Sequence, residues 1–112
     1  MYKLVRDNIP ELIKESGEVC DYAAVQNDEL YVSLLKDKLI EEVNEFLWAD
    51  PTVERNLEEL IDITTVIKSL VAALGISEAD FETKYTEKLT KNGGFVKKYV
   101  AFFADAPTQE NK

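Results

Sequence analysis

Glu41-Glu42-Val43-Asn44-Glu45 and, thirteen residues further on, Glu59-Leu60-Ile61-Asp62 decide how this chain folds. Each segment sets two acids three residues apart inside an apolar pattern of threes and fours, the period of an α-helix. Around the first segment, Val32, Leu35, Leu39, Val43 and Phe46 predict the core face of a long helix over residues 29–49. Asn27 or Asp28 would cap it, and Asp50-Pro51 would end it, because proline lacks the N–H a helix needs. Around the second, Leu60, Ile63, Ile67, Leu70 and Leu74 predict a helix over residues 53–74, closed by Gly75. Between Leu57 and Leu74 the charged residues are Glu58, Glu59, Asp62 and Lys68, and Ile61, Val66 and Val71 widen the apolar surface beyond one stripe. A helix of that kind needs neighbours on more than one side. One short chain offers few, so a second copy is expected to complete the bundle, as a homodimer or homotetramer.

Outward from this pair the signals are more local. Asn8-Ile9-Pro10-Glu11 reads as a capped start, with proline in the first turn, of a short helix to about Glu15, and Gly17 stops it. Residues 19–26, with Val19, Tyr22 and Val25 among small side chains, read as a short strand. Ser77-Glu78-Ala79-Asp80 has the form of a capping box with Asp in place of Glu, opening a fourth helix to about Lys91, and Asn92-Gly93-Gly94 ends it. Residues 95–103 alternate loosely and suit either a strand paired with residues 19–26 or a last helical turn; the strand is the reading adopted. The expected fold is an all-α helical bundle with two long central helices and a small two-stranded β element. Residues 1–104 would form one domain and the polar residues 105–112 a flexible tail.

Composition narrows the chemistry. The 112 residues contain no histidine and a single cysteine, Cys20. That excludes Ser-His and Cys-His catalysis, the usual zinc ligand sets and an internal disulfide. A net charge of -9 disfavours binding to a nucleic-acid polymer, where basic surface is rewarded. No apolar run approaches the ~20 residues of a membrane span, and Met1 to Arg6 lack the features of a signal peptide, so a soluble cytoplasmic protein without membrane partners is expected.

Reactivity must then come from carboxylates, lysines, hydroxyls or a metal. At about 100° per residue, Glu42 and Glu45 lie about 60° apart on their helix, as do Glu59 and Asp62 on theirs. Both pairs border apolar faces, where clustered carboxylates repel unless cations neutralise them or some protonate. A divalent ion resolves that conflict, and an all-oxygen ligand set suits Mg²⁺, with Mn²⁺ as substitute. The plainer alternative is solvated helix surface, since Glu is a good helix former and Lys38 is spaced to pair with Glu42.

The paired acids resemble the Glu-Glu-x-x-Glu and Glu-x-x-Asp signature of MazG-like nucleotide pyrophosphohydrolases, the all-α NTP pyrophosphatase superfamily. Leu4-Val5-Arg6-Asp7-Asn8-Ile9-Pro10, Lys38-Leu39-Ile40-Glu41-Glu42 and Gly93-Gly94-Phe95 are similar to motifs of a phosphoribosyl-ATP pyrophosphohydrolase-like subgroup. Asn8 stands where that subgroup has Lys, and Asn92 where it often has Arg, both with loss of positive charge. The resemblance implies that Glu42, Glu45, Glu59 and Asp62 coordinate Mg²⁺, that Glu41 and Glu42 serve catalysis, and that a nucleoside triphosphate is cleaved to monophosphate and pyrophosphate. Substrate contacts are expected from Arg6, Lys38, Lys91 and Asn92, with Tyr31 and Trp48 as candidates for stacking on a base. Lys88 is better read as ordinary surface charge. Phosphoribosyl-ATP hydrolysis and a non-catalytic, nucleotide- or protein-binding member of the same fold are the alternatives.

Overall fold

A computed structural model describes residues 2–104, and four helices account for all regular structure among them: α1 (Ile9–Glu15), α2 (Asp28–Trp48), α3 (Val53–Ala73) and α4 (Glu78–Asn92). The chain is all-α, as the periodicity predicts. The tail expected over residues 105–112 lies outside the described residues. The backbone divides into two compact units between Phe81 and Glu82.

The first unit is organised by α2 and α3, which pack side by side. Only Ala49 to Thr52 join them, so the two run antiparallel as a helical hairpin. Side-chain caps set both starts. Asn27 Oδ1 accepts from the Leu30 N–H at 2.9 Å, and Thr52 Oγ1 accepts from the Arg55 N–H at 3.1 Å. Gly75, at φ 78°, supplies the left-handed residue just past the end of α3. At α1, by contrast, the expected Asn8 side-chain cap does not form. Asn8 is helical in φ and ψ, and the start is made by the backbone, with the Ile9 N–H donating to the Arg6 carbonyl at 3.0 Å.

The core is small. Leu35 and Val66 are the buried apolar residues among those described. Val32, Leu39 and Phe46 of the expected α2 face are half-buried, while Val43 is exposed. On α3 the expected stripe is displaced: Leu60, Ile67 and Leu74 are exposed, and Val66 takes the buried position. The cause is one-sided packing within the first unit, where α3 lies against α2 and the side facing α2 is the one it buries.

The second unit holds α4 from Glu82 onward and the residues after it. The Ser77 Oγ accepts from the Asp80 N–H at 3.1 Å, so Ser77 caps the start of α4, still within the first unit. The β element does not form. Residues 19–26 belong to the first unit and residues 95–103 to the second, and neither stretch carries strand structure. Residues 95–98 instead close a turn, with the Lys98 N–H donating to the Phe95 carbonyl at 3.2 Å and Lys98 at φ 60°. That left-handed residue breaks the extended path a strand requires. No single helix among the described residues is long and apolar enough to cross a membrane.

Candidate metal centre

The hairpin buries one acid of each pair, Glu42 and Glu59, while Asp62 is half-buried and Glu45 stays exposed. Glu42 and Glu59 are the two most buried polar residues described, at 6% and 3% exposure. Each is held in the same way by its own helix. Lys38 Nζ lies 3.4 Å from Glu42 Oε1, and Arg55 Nη2 lies 2.8 Å from Glu59 Oε1, both from the position four residues earlier. The second oxygen of each, Oε2, is buried with no hydrogen-bond partner. One turn of helix thus supplies each carboxylate with a counter-charge at one oxygen and leaves the other oxygen without a hydrogen-bond donor.

Asp62 completes the group. Carboxylate oxygens of Glu42, Glu59 and Asp62 lie within 4.8 Å of one another, and a second trio, Glu41, Glu42 and Glu45, meets the same limit. Three of the four expected ligands therefore converge, and Glu45 joins them through Glu42 from the exposed side of α2. The fit to a hard divalent cation rests on two features: every donor is a carboxylate oxygen, and two of those oxygens are buried without partners.

The segment before α1 brings cations to this cluster. Arg6 Nη2 donates to Asp62 Oδ1 at 2.6 Å and to Thr65 Oγ1 at 3.3 Å. Lys3 Nζ donates to Glu41 Oε1 at 2.9 Å, and Lys38 reaches the same oxygen at 3.4 Å. These contacts sort the two neighbouring glutamates. The Lys3 hydrogen bond holds the Glu41 carboxyl below its ordinary pKa, with Lys38 adding to the effect. Burial pushes Glu42 up, and the adjacent negative charge of Glu45 pushes it further.

Arg6, Tyr31, Lys38, Glu42 and Asp62 share the lining of a cleft of about 480 Å³, with Leu4 and Ile9 on its apolar side. Tyr31 is thus placed where a base could stack; Trp48, at the end of α2, is 86% exposed and outside the lining. Lys91 and Asn92 are the last two residues of α4 and belong to the second unit.

Three contributors escape a reading of the sequence. Arg55 carried a usable signal, its spacing of four from Glu59, whereas Lys3 and Thr65 reach the site only through the fold. No family model matches the chain, and neither a curated protein nor a solved structure is similar to it.

Proposed function

We propose that this cleft binds a divalent cation, Mg²⁺ by its donor chemistry, and hydrolyses nucleoside triphosphates to the monophosphate and pyrophosphate. One observation carries the reading: two buried carboxylate oxygens without partners, on Glu42 and Glu59, lie in a cluster with Asp62, and Glu42 and Asp62 line a cleft that also presents Arg6 and Lys38. The motif order that resembles MazG-like pyrophosphohydrolases supports the same conclusion.

Under this reading Glu42, Glu59 and Asp62 hold the ion, and Glu45 borders it. The ion supplies Lewis acidity, offsetting polyphosphate charge and easing deprotonation of water. Arg6 and Lys38 present fixed positive charge to phosphate oxygens, Arg6 through a planar fork suited to two of them at once. Glu41, grouped with Glu42 and Glu45, is the carboxylate assigned to accept a proton from attacking water. Leu4, Ile9 and Tyr31 form the apolar wall against which a base packs.

The test is a panel of ribo- and deoxyribonucleoside triphosphates, with phosphoribosyl-ATP included, incubated with the protein and Mg²⁺. Monophosphate and pyrophosphate should form in equal amounts, and Glu59→Gln should abolish both. Absence of turnover across the panel refutes the hydrolase.

A further inference from the structure

Each hydroxyl side chain within α3 folds back to donate to the carbonyl four residues earlier: Thr64 to Leu60 at 2.7 Å, Thr65 to Ile61 at 2.9 Å and Ser69 to Thr65 at 3.0 Å. That habit is ordinary for helical serine and threonine. Thr65 differs in one respect. Among the described residues it alone of these hydroxyls has a second partner, Arg6 Nη2 at 3.3 Å, from 59 positions away. It is half-buried and lines the cleft together with Arg6 and Asp62.

With its hydrogen given to Ile61, the Thr65 hydroxyl can only accept, which suits a guanidinium that only donates. Arg6 Nη2 also donates to Asp62 Oδ1 at 2.6 Å, so both of its hydrogens are spent on α3. The two anchors are unequal. Asp62 is charged and stands in the carboxylate cluster proposed to hold a cation, so its hold on Arg6 weakens once its charge is shared. Thr65 is neutral: a cation does not loosen its hold, and it does not oppose a phosphate as a second carboxylate would. The geometry points to Thr65 as a positioning residue for Arg6. It retains one Nη2 hydrogen while the other is released from Asp62, and the released hydrogen, paired with a neighbouring N–H of the guanidinium, completes the fork that grips phosphate. Without this anchor the Arg6 side chain, already 50% exposed, would move freely once Asp62 let go, and the entropy lost in ordering it would weaken binding. This role rests on the proposed phosphate contact of Arg6 and does not require turnover.

Isothermal titration calorimetry with inorganic tripolyphosphate in Mg²⁺ buffer tests it, with circular dichroism reporting helix content. Tripolyphosphate should bind the unaltered chain. Thr65→Val, which keeps the shape and removes the acceptor, should weaken binding about tenfold, the loss of one hydrogen bond to a charged group. Thr65→Ser, which keeps the acceptor, should stay within about threefold of the unaltered chain. Arg6→Met should weaken binding about tenfold or more, and adding Thr65→Val to it should change little, since no guanidinium is left to position. A threonine that serves only the helix would add its full effect in either background. The hydrolysis assay separates this role from the proposed function: absence of nucleotide turnover with the binding pattern intact sinks the hydrolase alone, whereas turnover with an unchanged KM in Thr65→Val sinks the positioning role alone. No binding of tripolyphosphate, indifference to Thr65→Val, failure of Thr65→Ser to recover with helix content unchanged, or additive losses in the double variant each overturn the proposal.

Discussion

Arg6 Nη2 and Asp62 Oδ1 stand 2.6 Å apart, joining the segment before α1 to the third helix across 56 positions of sequence. The contact places a guanidinium beside the carboxylates proposed to hold a cation. It therefore offsets negative charge at the cluster, and it positions next to it the group proposed to bind phosphate.

Arg6→Met should separate these roles. The pair is half exposed, so its loss should lower stability by about 1 kcal/mol or less in thermal unfolding. In the hydrolysis assay KM should rise about tenfold or more, with a smaller fall in kcat, as expected when a group binds phosphate in ground and transition states alike. An unchanged KM would exclude a substrate contact by Arg6.

Adding Mg²⁺ or Mn²⁺ should raise Tm, because an ion that binds the folded chain stabilises it by about 2.7 kcal/mol at a hundredfold excess over Kd. Glu42→Gln should cancel that increment. Without added metal the same substitution should raise Tm, since it removes a buried charge whose Oε2 has no partner. Differential scanning fluorimetry checks both directions in one experiment.

Arg55→Met removes the cation that neutralises Glu59, leaving a carboxylate that is 3% exposed with its charge uncompensated. Because Arg55 is itself half exposed, the expected loss is about 1–2 kcal/mol in urea unfolding, below the cost of breaking a fully buried pair. Arg55→Met combined with Glu59→Leu should recover most of it. A loss in the double variant equal to the sum of the losses in Arg55→Met and Glu59→Leu would show that the pair is not coupled.

The Lys3–Glu41 pair fixes a pH window. Glu41 has its pKa lowered in the fold, so its contribution is present above the ordinary carboxylate value and disappears as pH falls through the lowered one. Lys3 is shifted upward, so its contribution is complete below its ordinary value of 10.5 and disappears as pH rises through the raised one. The stability difference between the unaltered chain and Lys3→Met should therefore be constant near neutrality and vanish at both extremes, as measured by urea unfolding against pH. A difference that persists at pH 2 would trace it to packing instead.

The hairpin and its acids were legible because helical period, caps and the stop at Pro51 are local signals, and Glu42, Glu59 and Asp62 converge as their spacing predicts. Lys3 was not legible, since its meeting with Glu41 spans 38 positions and depends on how the N-terminal segment lies against α2. The strand assignments failed for a related reason. Val19, Tyr22, Phe95 and Phe102 are β-formers by type, but a strand is made by a partner that aligns with it, and apolar alternation does not encode that partner. The buried stripe of α3 was misplaced toward Leu60 and Ile67 because the pattern counts apolar residues all round a helix, without recording which side meets α2.

Since each buried glutamate takes its cation from the preceding turn of its own helix, charge compensation comes with helix formation and does not await tertiary assembly. The hairpin closes through four connecting residues, a short loop with a small closure cost. Its buried acids can thus be brought together early in folding, each arriving with a counter-charge already in place. The later-forming contacts are those with Lys3 and Arg6, so the long-range ion pairs should respond first when the folded state loosens, while the acid-lined hairpin persists.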